Sequence, residues 1–270
     1  MIKKILVPTD FSENADLALK YAIQVANQFG ATIYVLHAYL IASSAGNLVS
    51  IDHFVKADRQ QEVDELVDKM KPLLSANARL EAHVKNGNPV DSIRLAAEKM
   101  KADLIIMGTK GAGGMRKFFL GSTASQVVLH SEIPVLVIPW AFEHFRISTL
   151  TLALDDKKIE DLKILKPILD LVKSFGANLN LLSVRNEEHP LTKIDSDLED
   201  HLTKQGVKFS RVIEDSPDVI EGIQNFVNRE HSDLLCLIHH PRGFFQRIFD
   251  TSISKEMSFD SRVPLMILQG

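Results

Sequence analysis

The stretch DLIIMGTKGAGGMRKFFLGSTASQVVL, residues 103–129, runs through three kinds of sequence in succession. Leu104-Ile105-Ile106-Met107 is short and continuously apolar, which suits a strand covered on both faces. Gly108 then opens a loop that also holds Gly111, Gly113, Gly114 and Gly121, and Gly121-Ser122 begins a helix. A buried strand, a glycine-rich loop and a helix start, in that order, belong to a parallel α/β sheet. Ligands of such sheets bind beyond the carboxyl ends of the strands, where the strand order reverses.

Working outward, Ile2 to Val7, Thr32 to Ala38, Leu80 to Lys85 and Val135 to Ile138 read as further strands. Between them Leu17, Tyr21, Val25 and Ala26 recur at helical spacing after Ser12, a suitable N-cap. Ile93, Ala96, Ala97 and Met100 do the same after Asn88-Pro89, where proline fits a first turn. The βαβαβ order predicts an open, doubly wound, mainly parallel five-stranded sheet.

The pattern then starts again. Phe29-Gly30-Ala31 recurs as Phe175-Gly176-Ala177 at an offset of 146, and Asp103-Leu104 as Asp233-Leu234 at 130. Ile133-Pro134-Val135-Leu136 recurs as Val263-Pro264-Leu265-Met266, also at 130. The order is preserved, so the chain is a duplicated unit whose second copy is shorter by 146 − 130 = 16 residues. Most of that loss falls after the second strand, where the first copy carries Leu40 to Asp58, read as an excursion near the cleft: a lid or a plain loop. Residues 1–141 and 146–270 are the expected domains, with Pro139 to Arg146 as the linker. The strands at Val135 to Ile138 and Leu265 to Leu268 would pair them as an internal pseudo-dimer.

Composition narrows the function classes. The 270 residues carry 31 basic and 35 acidic side chains, a net charge of −4, which argues against a dedicated nucleic-acid binder. Cys236 is the one cysteine, so an internal disulfide is excluded, and its apolar setting suggests a buried structural thiol. No apolar run is long enough for a membrane helix and the start lacks a signal-peptide core, so a soluble cytoplasmic protein is expected.

Three places meet the condition for a site: Pro8-Thr9-Asp10, His37-Ala38 and the glycine-rich loop. Glycines admit positive φ and bring backbone N–H groups close to a ligand, while the helix start at Gly121-Ser122 favours an anion. From the residues alone the loop is either a phosphate cradle or a simple turn. It is not a P-loop, because G-x-x-x-x-G-K-[ST] is absent. Nor is it the dinucleotide fingerprint, because it follows the fourth strand.

Gly108-x2-Gly111-x9-Gly121-Ser122 resembles the ATP-binding signature of the universal stress protein family. Lys3-Lys4-Ile5-Leu6-Val7-Pro8-Thr9-Asp10-Phe11-Ser12 is similar to its opening strand and loop, and Ile133 to Ile138 to its dimer-forming last strand. The likeness covers the whole first copy and, more weakly, the second. It implies a Rossmann-like fold of the adenine nucleotide alpha hydrolase kind, and a stress-response role. It also implies ATP as ligand, with or without Mg2+. Asp10 would bond the ribose or adenine side, with Pro8 and Thr9 shaping that pocket. Ala38, where the family often has valine, would offer its backbone to adenine. Met107 would pack near the nucleotide, while Gly108, Gly111, Gly121 and Ser122 take phosphates and ribose. Lys110, Arg116 and Lys117 either add charge there or are solvated loop residues.

The second copy acts as an internal control. At the offset of 130, Gly108 becomes Ile238, Gly111 becomes Pro241 and Gly121 becomes Thr251. Proline has no N–H to donate and β-branched residues resist positive φ. Thr9 becomes Asp155, beside Asp156. Residues 1–141 hold 15 basic and 14 acidic side chains (+1), and residues 142–270 hold 16 and 21 (−5). The second copy is therefore expected not to bind ATP. His239-His240 invites a metal reading, but neighbours at a strand end point apart and no further ligand sits at a recognisable spacing. Phe244-Phe245 and Phe249 suggest a packed loop or contact surface.

Of three functions, the first is favoured and the other two are alternatives. The first is a nucleotide-binding regulatory module that acts through partners, with homodimers formed through helix faces. Another is a slow ATP-hydrolysing enzyme, although no Walker lysine, paired magnesium-binding carboxylates or evident base is present. The last is a nucleotide-free interaction scaffold.

Overall fold

The structure, a computed structural model, describes residues 1–41, 48–109, 120–142, 144–155, 157–187, 196–240 and 262–270, leaving aside the side chains of 48–51. The chain divides into two compact units, with the division between Trp140 and Ala141. In the first, strands β1 (Lys4–Pro8), β2 (Thr32–Tyr39), β3 (Arg79–Asn86), β4 (Leu104–Gly108) and β5 (Val135–Ile138) form a parallel sheet in the order β3-β2-β1-β4-β5. Helices α1 (Glu13–Phe29), α2 (Leu48–Met70), α3 (Pro89–Met100) and α4 (Ser122–His130) make the crossovers. The central strands are buried on both faces, from Ile5, Leu6 and Val7 to Leu104, Ile105 and Ile106, which accounts for their unbroken apolar sequence.

The second unit repeats the order. Strands β6 (Thr149–Leu154), β7 (Asn178–Arg185), β8 (Phe209–Asp215), β9 (Leu234–His239) and β10 (Leu265–Gln269) run parallel as β10-β9-β6-β7-β8. Helices α5 (Lys166–Phe175), α6 (Ser196–Lys204) and α7 (Val219–Arg229) are its described crossovers. Cys236 is buried in β9, and that burial pushes its thiol up, as fits a structural cysteine.

Each repeated sequence fragment has its own structural cause. The two Phe-Gly-Ala fragments end α1 and α5, where Gly30 and Gly176 both take φ 64° and donate to Ala26 and Val172. The Asp-Leu fragments brace the sheets: Asp103 Oδ2 accepts the N–H of Lys3 (2.7 Å) and Lys4 (2.9 Å), and Asp233 Oδ2 those of Ser148 (2.7 Å) and Thr149 (3.0 Å). The prolines lead in the last strands, with the Pro134 carbonyl accepting Ile105 N–H at 2.9 Å and that of Pro264 accepting Leu235 N–H at 3.0 Å.

The length difference also has a location. Between β2 and β3 lie residues 40–78, and between β7 and β8 residues 186–208, so 39 − 23 = 16 residues separate the copies there. The expectation of a loop over Leu40 to Asp58 is corrected: a helix begins at Leu48, and residues 42–47 lie outside the described set. This helix has polar residues on most sides, and its buried contacts, Val63, Leu66, Val67 and Met70, come late. Asp52 ties its early turns to the sheet, accepting Tyr39 Oη at 3.2 Å and Asn86 Nδ2 at 3.0 Å.

Candidate functional site: a cleft between the first and fourth strands

Strand order dictates where the first sheet opens. The crossovers from β1 to β2 and from β3 to β4 leave in opposite directions, so β1 and β4 are neighbours without a direct connection. Their pairing covers Ile5↔Leu104 and Leu6↔Ile105, whereas β1 and β2 stay paired to Pro8↔Leu36. Past that point lies a cleft of about 440 Å³. Pro8, Thr9, Asp10, Ala38, Met107, Gly108, Gly121 and Ser122 all line it. Gly111 and the basic residues Lys110, Arg116 and Lys117 lie outside the described residues.

The β1–α1 turn is held by its own short side chains. Thr9 N–H donates to Leu36 O (2.9 Å), Thr9 Oγ1 accepts Phe11 N–H (3.0 Å), and Asp10 Oδ1 accepts Ser12 N–H (3.1 Å). Ser12 caps α1 by accepting Ala15 N–H at 3.2 Å. Asp10 thus serves as the turn residue its sequence allowed, with its carboxylate exposed at the cleft. Phe11 holds a left-handed φ of 62°, and its ring packs on His37 at 4.6 Å. His37 Nδ1 lies 2.9 Å from the Thr9 carbonyl, which only accepts, so Nδ1 carries the proton.

Ala38 offers backbone rather than side chain. Leu36 turns its carbonyl towards β1, where it accepts Thr9 N–H, and strand alternation turns the N–H and C=O of Ala38 to the same side. β1 has ended at Pro8, so those groups face the cleft margin. Apolar groups of Pro8, Leu36, Pro89, Ile93 and Met107 complete this part of the wall.

The opposite wall is the N-terminus of α4. Gly121 is its N-cap, without a side-chain cap, and no acidic residue occupies the first turn. Free N–H groups, the helix dipole and the hydroxyls of Ser122 and Thr123 therefore meet the cleft at its anion-favouring end. Among the described lining residues there is no Lys or Arg, and Asp10 is the one carboxylate.

The two described glycines of the loop, Gly108 and Gly121, do not take the positive φ expected of them. Gly121 has φ −58° and ψ 160°, and Gly108 is not among the positive-φ glycines. Gly108 is small for a steric reason: a Cβ there would lie 2.6 Å from Asn14 Oδ1 and 3.0 Å from the Asn14 carbonyl oxygen. Leu36, Pro89, Ile93, Thr109 and Thr123 line the cleft without having been named as site residues from the sequence, and Asn14 sits behind it. Thr109 lay inside the quoted stretch, and Asn88-Pro89, a helix start after a strand, was the signal for the α3 wall.

At the matching edge of the second unit, Ile238 ends buried in β9, and His239 and His240 part company. His239 Nδ1 lies 3.3 Å from Gln269 Oε1, while buried His240 has Nε2 3.8 Å from Asp155 Oδ1. Asp156, Pro241, Phe244, Phe245, Phe249 and Thr251 lie outside the described residues.

Residues 1–139 match the model of the universal stress protein family. A universal stress protein of Methanocaldococcus jannaschii is 33% identical over 144 residues, covering 51% of this chain and 82% of its own. One from Thermus aquaticus is 35% identical over 139 residues, covering 51% of this chain and 99% of its own. The crystal structure of a universal stress protein from Archaeoglobus fulgidus shares the fold over 98% of this chain and 96% of its own, with a TM-score of 0.72 at 20% identity.

Proposed function

The chain belongs to the universal stress protein family, and from that premise we propose that its first unit, residues 1–141, is a regulatory module that binds ATP. The observation that carries this reading is the division of one cleft into two chemically distinct ends. Ala38 presents a peptide edge between apolar walls, the surface a flat heterocycle with polar edges needs. Asp10 stands where a polyol would be recognised, and the α4 N-terminus stands where phosphates would. Mg2+, if bound, would be held mainly by the phosphates, since the described wall supplies one carboxylate. The second unit, residues 146–270, takes no nucleotide in this reading, because buried Ile238 and buried His240, with Asp155 beside it, occupy the corresponding strand ends. Among the described residues no helix is long and apolar enough to cross a membrane.

The test is calorimetric titration of ATP and Mg2+ into nucleotide-stripped protein, with released phosphate assayed on the same sample. One site per chain with negligible turnover is expected. Gly121→Val and Asp10→Ala should each weaken binding by about tenfold or more while the fold is kept. Wild-type affinity in both variants would sink the assignment. Sustained turnover would favour the enzyme, and no binding the scaffold. The duplication also underlies the proposal of an internal pseudo-dimer and of homodimers, which sedimentation of the whole chain and mixing of separately expressed halves would examine.

A further inference from the structure

Asn14 is buried, does not line the cleft, and is absent from the nucleotide-binding signature, yet it ties α1 to the ends of two strands, one of which is bonded onward to α4. It follows the Asp10 turn, in the first turn of α1. Its Nδ2 donates to the Ile138 carbonyl at the end of β5 (3.2 Å), and its Oδ1 accepts the Thr109 hydroxyl at the end of β4 (3.2 Å). Thr109 N–H donates to the same Ile138 carbonyl (3.1 Å), and the Thr109 carbonyl accepts Gly121 N–H at the start of α4 (2.5 Å). Chain connectivity from the turn to Asn14, and hydrogen bonds from Asn14 through Thr109 to Gly121, thus join one end of the cleft to the helix N-terminus at the other.

Resting on the nucleotide reading above, we propose that Asn14 is a positioning residue that sets the separation between the nucleoside end and the phosphate end of the cleft. The side chain suits this task narrowly. An amide donates to Ile138 and accepts from Thr109 at once; a carboxylate lacks the donor. Glutamine is longer by one methylene, and the space beside Asn14 is already closed, since even a Cβ on Gly108 would lie 2.6 Å from Asn14 Oδ1. Gly108 is therefore small in order to admit Asn14, and the two residues form one device. At the offset of 130 the second unit has Ile238 and His239 in place of Gly108 and Thr109, so the copy that lacks the phosphate-side features also lacks this device. Buried hydrogen bonds of this kind are costly to leave half-made, so the path holds one geometry rather than a range.

A ligand that spans both ends depends on their separation, whereas one that engages a single end does not. The experiment compares ATP with adenosine by calorimetry on the full chain, for wild type, Asn14→Leu, Thr109→Val, Thr109→Ser and the Asn14→Leu/Thr109→Val pair, with thermal melting of each. Asn14→Leu and Thr109→Val should each weaken ATP by about tenfold or more, and adenosine by less than about threefold. Thr109→Ser, which keeps the hydroxyl, should stay within about threefold of wild type, and the pair should lose little beyond the worse single variant. A folded variant that weakens both ligands in proportion, or neither, overturns the proposal, and Thr109→Val decides the matter if Asn14→Leu does not fold. Wild type that binds neither ligand overturns the nucleotide reading and this inference with it; wild type that binds both, with variants of unchanged ATP-to-adenosine ratio, overturns this inference alone.

Discussion

At Gly108 a single missing carbon decides what its neighbours can be. The contact with Asn14 involves the main-chain oxygen as well as the amide, so rotating one side chain cannot make room for a methyl group. Gly108→Ala should therefore cost about 1–3 kcal/mol, read as a lower midpoint in denaturant unfolding with an unchanged slope. An unaffected midpoint would mean that α1 shifts freely against β4. In the second unit, glycine has moved to another strand end. A Cβ on Gly270 would lie 2.7 Å from two ring atoms of His240 and 2.8 Å from Ile238 Cγ2, so it is this glycine that accommodates the bulk at the end of β9. The sequence marks Gly108 as a place needing glycine, but the positive φ expected there is absent and crowding by Asn14 stands in its place. Positive φ is the common cause of such a need, and crowding by a residue 94 positions away leaves no local mark.

Elements differ in how openly they announce themselves. The central strands were legible because burial on both faces leaves continuous apolar runs, and α1 and α3 because Ser12 and Asn88 cap them in the expected way. α2 was not, because a helix polar on most sides has no strong period, and the contacts that hold it, such as Asp52 with Tyr39 and Asn86, join residues from separate elements. Eight of the nine residues named from the sequence line one cleft, since motifs at strand ends are brought together by any parallel sheet. The α3 wall, Pro89 and Ile93, depended on how the helix packs and so could not be read in advance. The paired helix ends offer a test at this scale. Gly30 and Gly176 share φ 64°, but a Cβ on Gly30 would lie 3.3 Å from Asn77 Nδ2, whereas nothing lies within 4 Å at Gly176. Gly176→Ala should cost about 1 kcal/mol from conformation alone, and Gly30→Ala at least as much, in thermal or denaturant unfolding. A larger loss at Gly176 would contradict the crowding argument.

At the scale of the whole molecule, the carboxylates held below their ordinary values among the described residues all lie in the second unit, which should set much of the response to acid. Arg229, through its hydrogen bond first, holds Glu214 below the ordinary carboxylate value of 4.5, and Arg185 in the same way holds Asp215 below 3.8. Lys158 does so for Asp197. A carboxylate depressed in the folded state contributes stability that is fully present above its unfolded value and is lost as pH falls through the folded one. Stability should therefore decline as pH drops below 4.5, and Arg229→Gln should flatten that decline while lowering stability near neutrality, as unfolding midpoints across pH would record. Identical acid profiles would remove the Arg229–Glu214 pair from the account. The two glycines that serve different strand ends carry a longer consequence. With Ile238 and His240 already fitted around Gly270, replacing Ile238 by glycine would strip buried volume from the end of β9 without supplying a partner such as Asn14. A mutational path from the second copy towards the first copy's architecture would therefore begin with a loss of stability, which makes the divergence of the two strand ends hard to reverse one residue at a time.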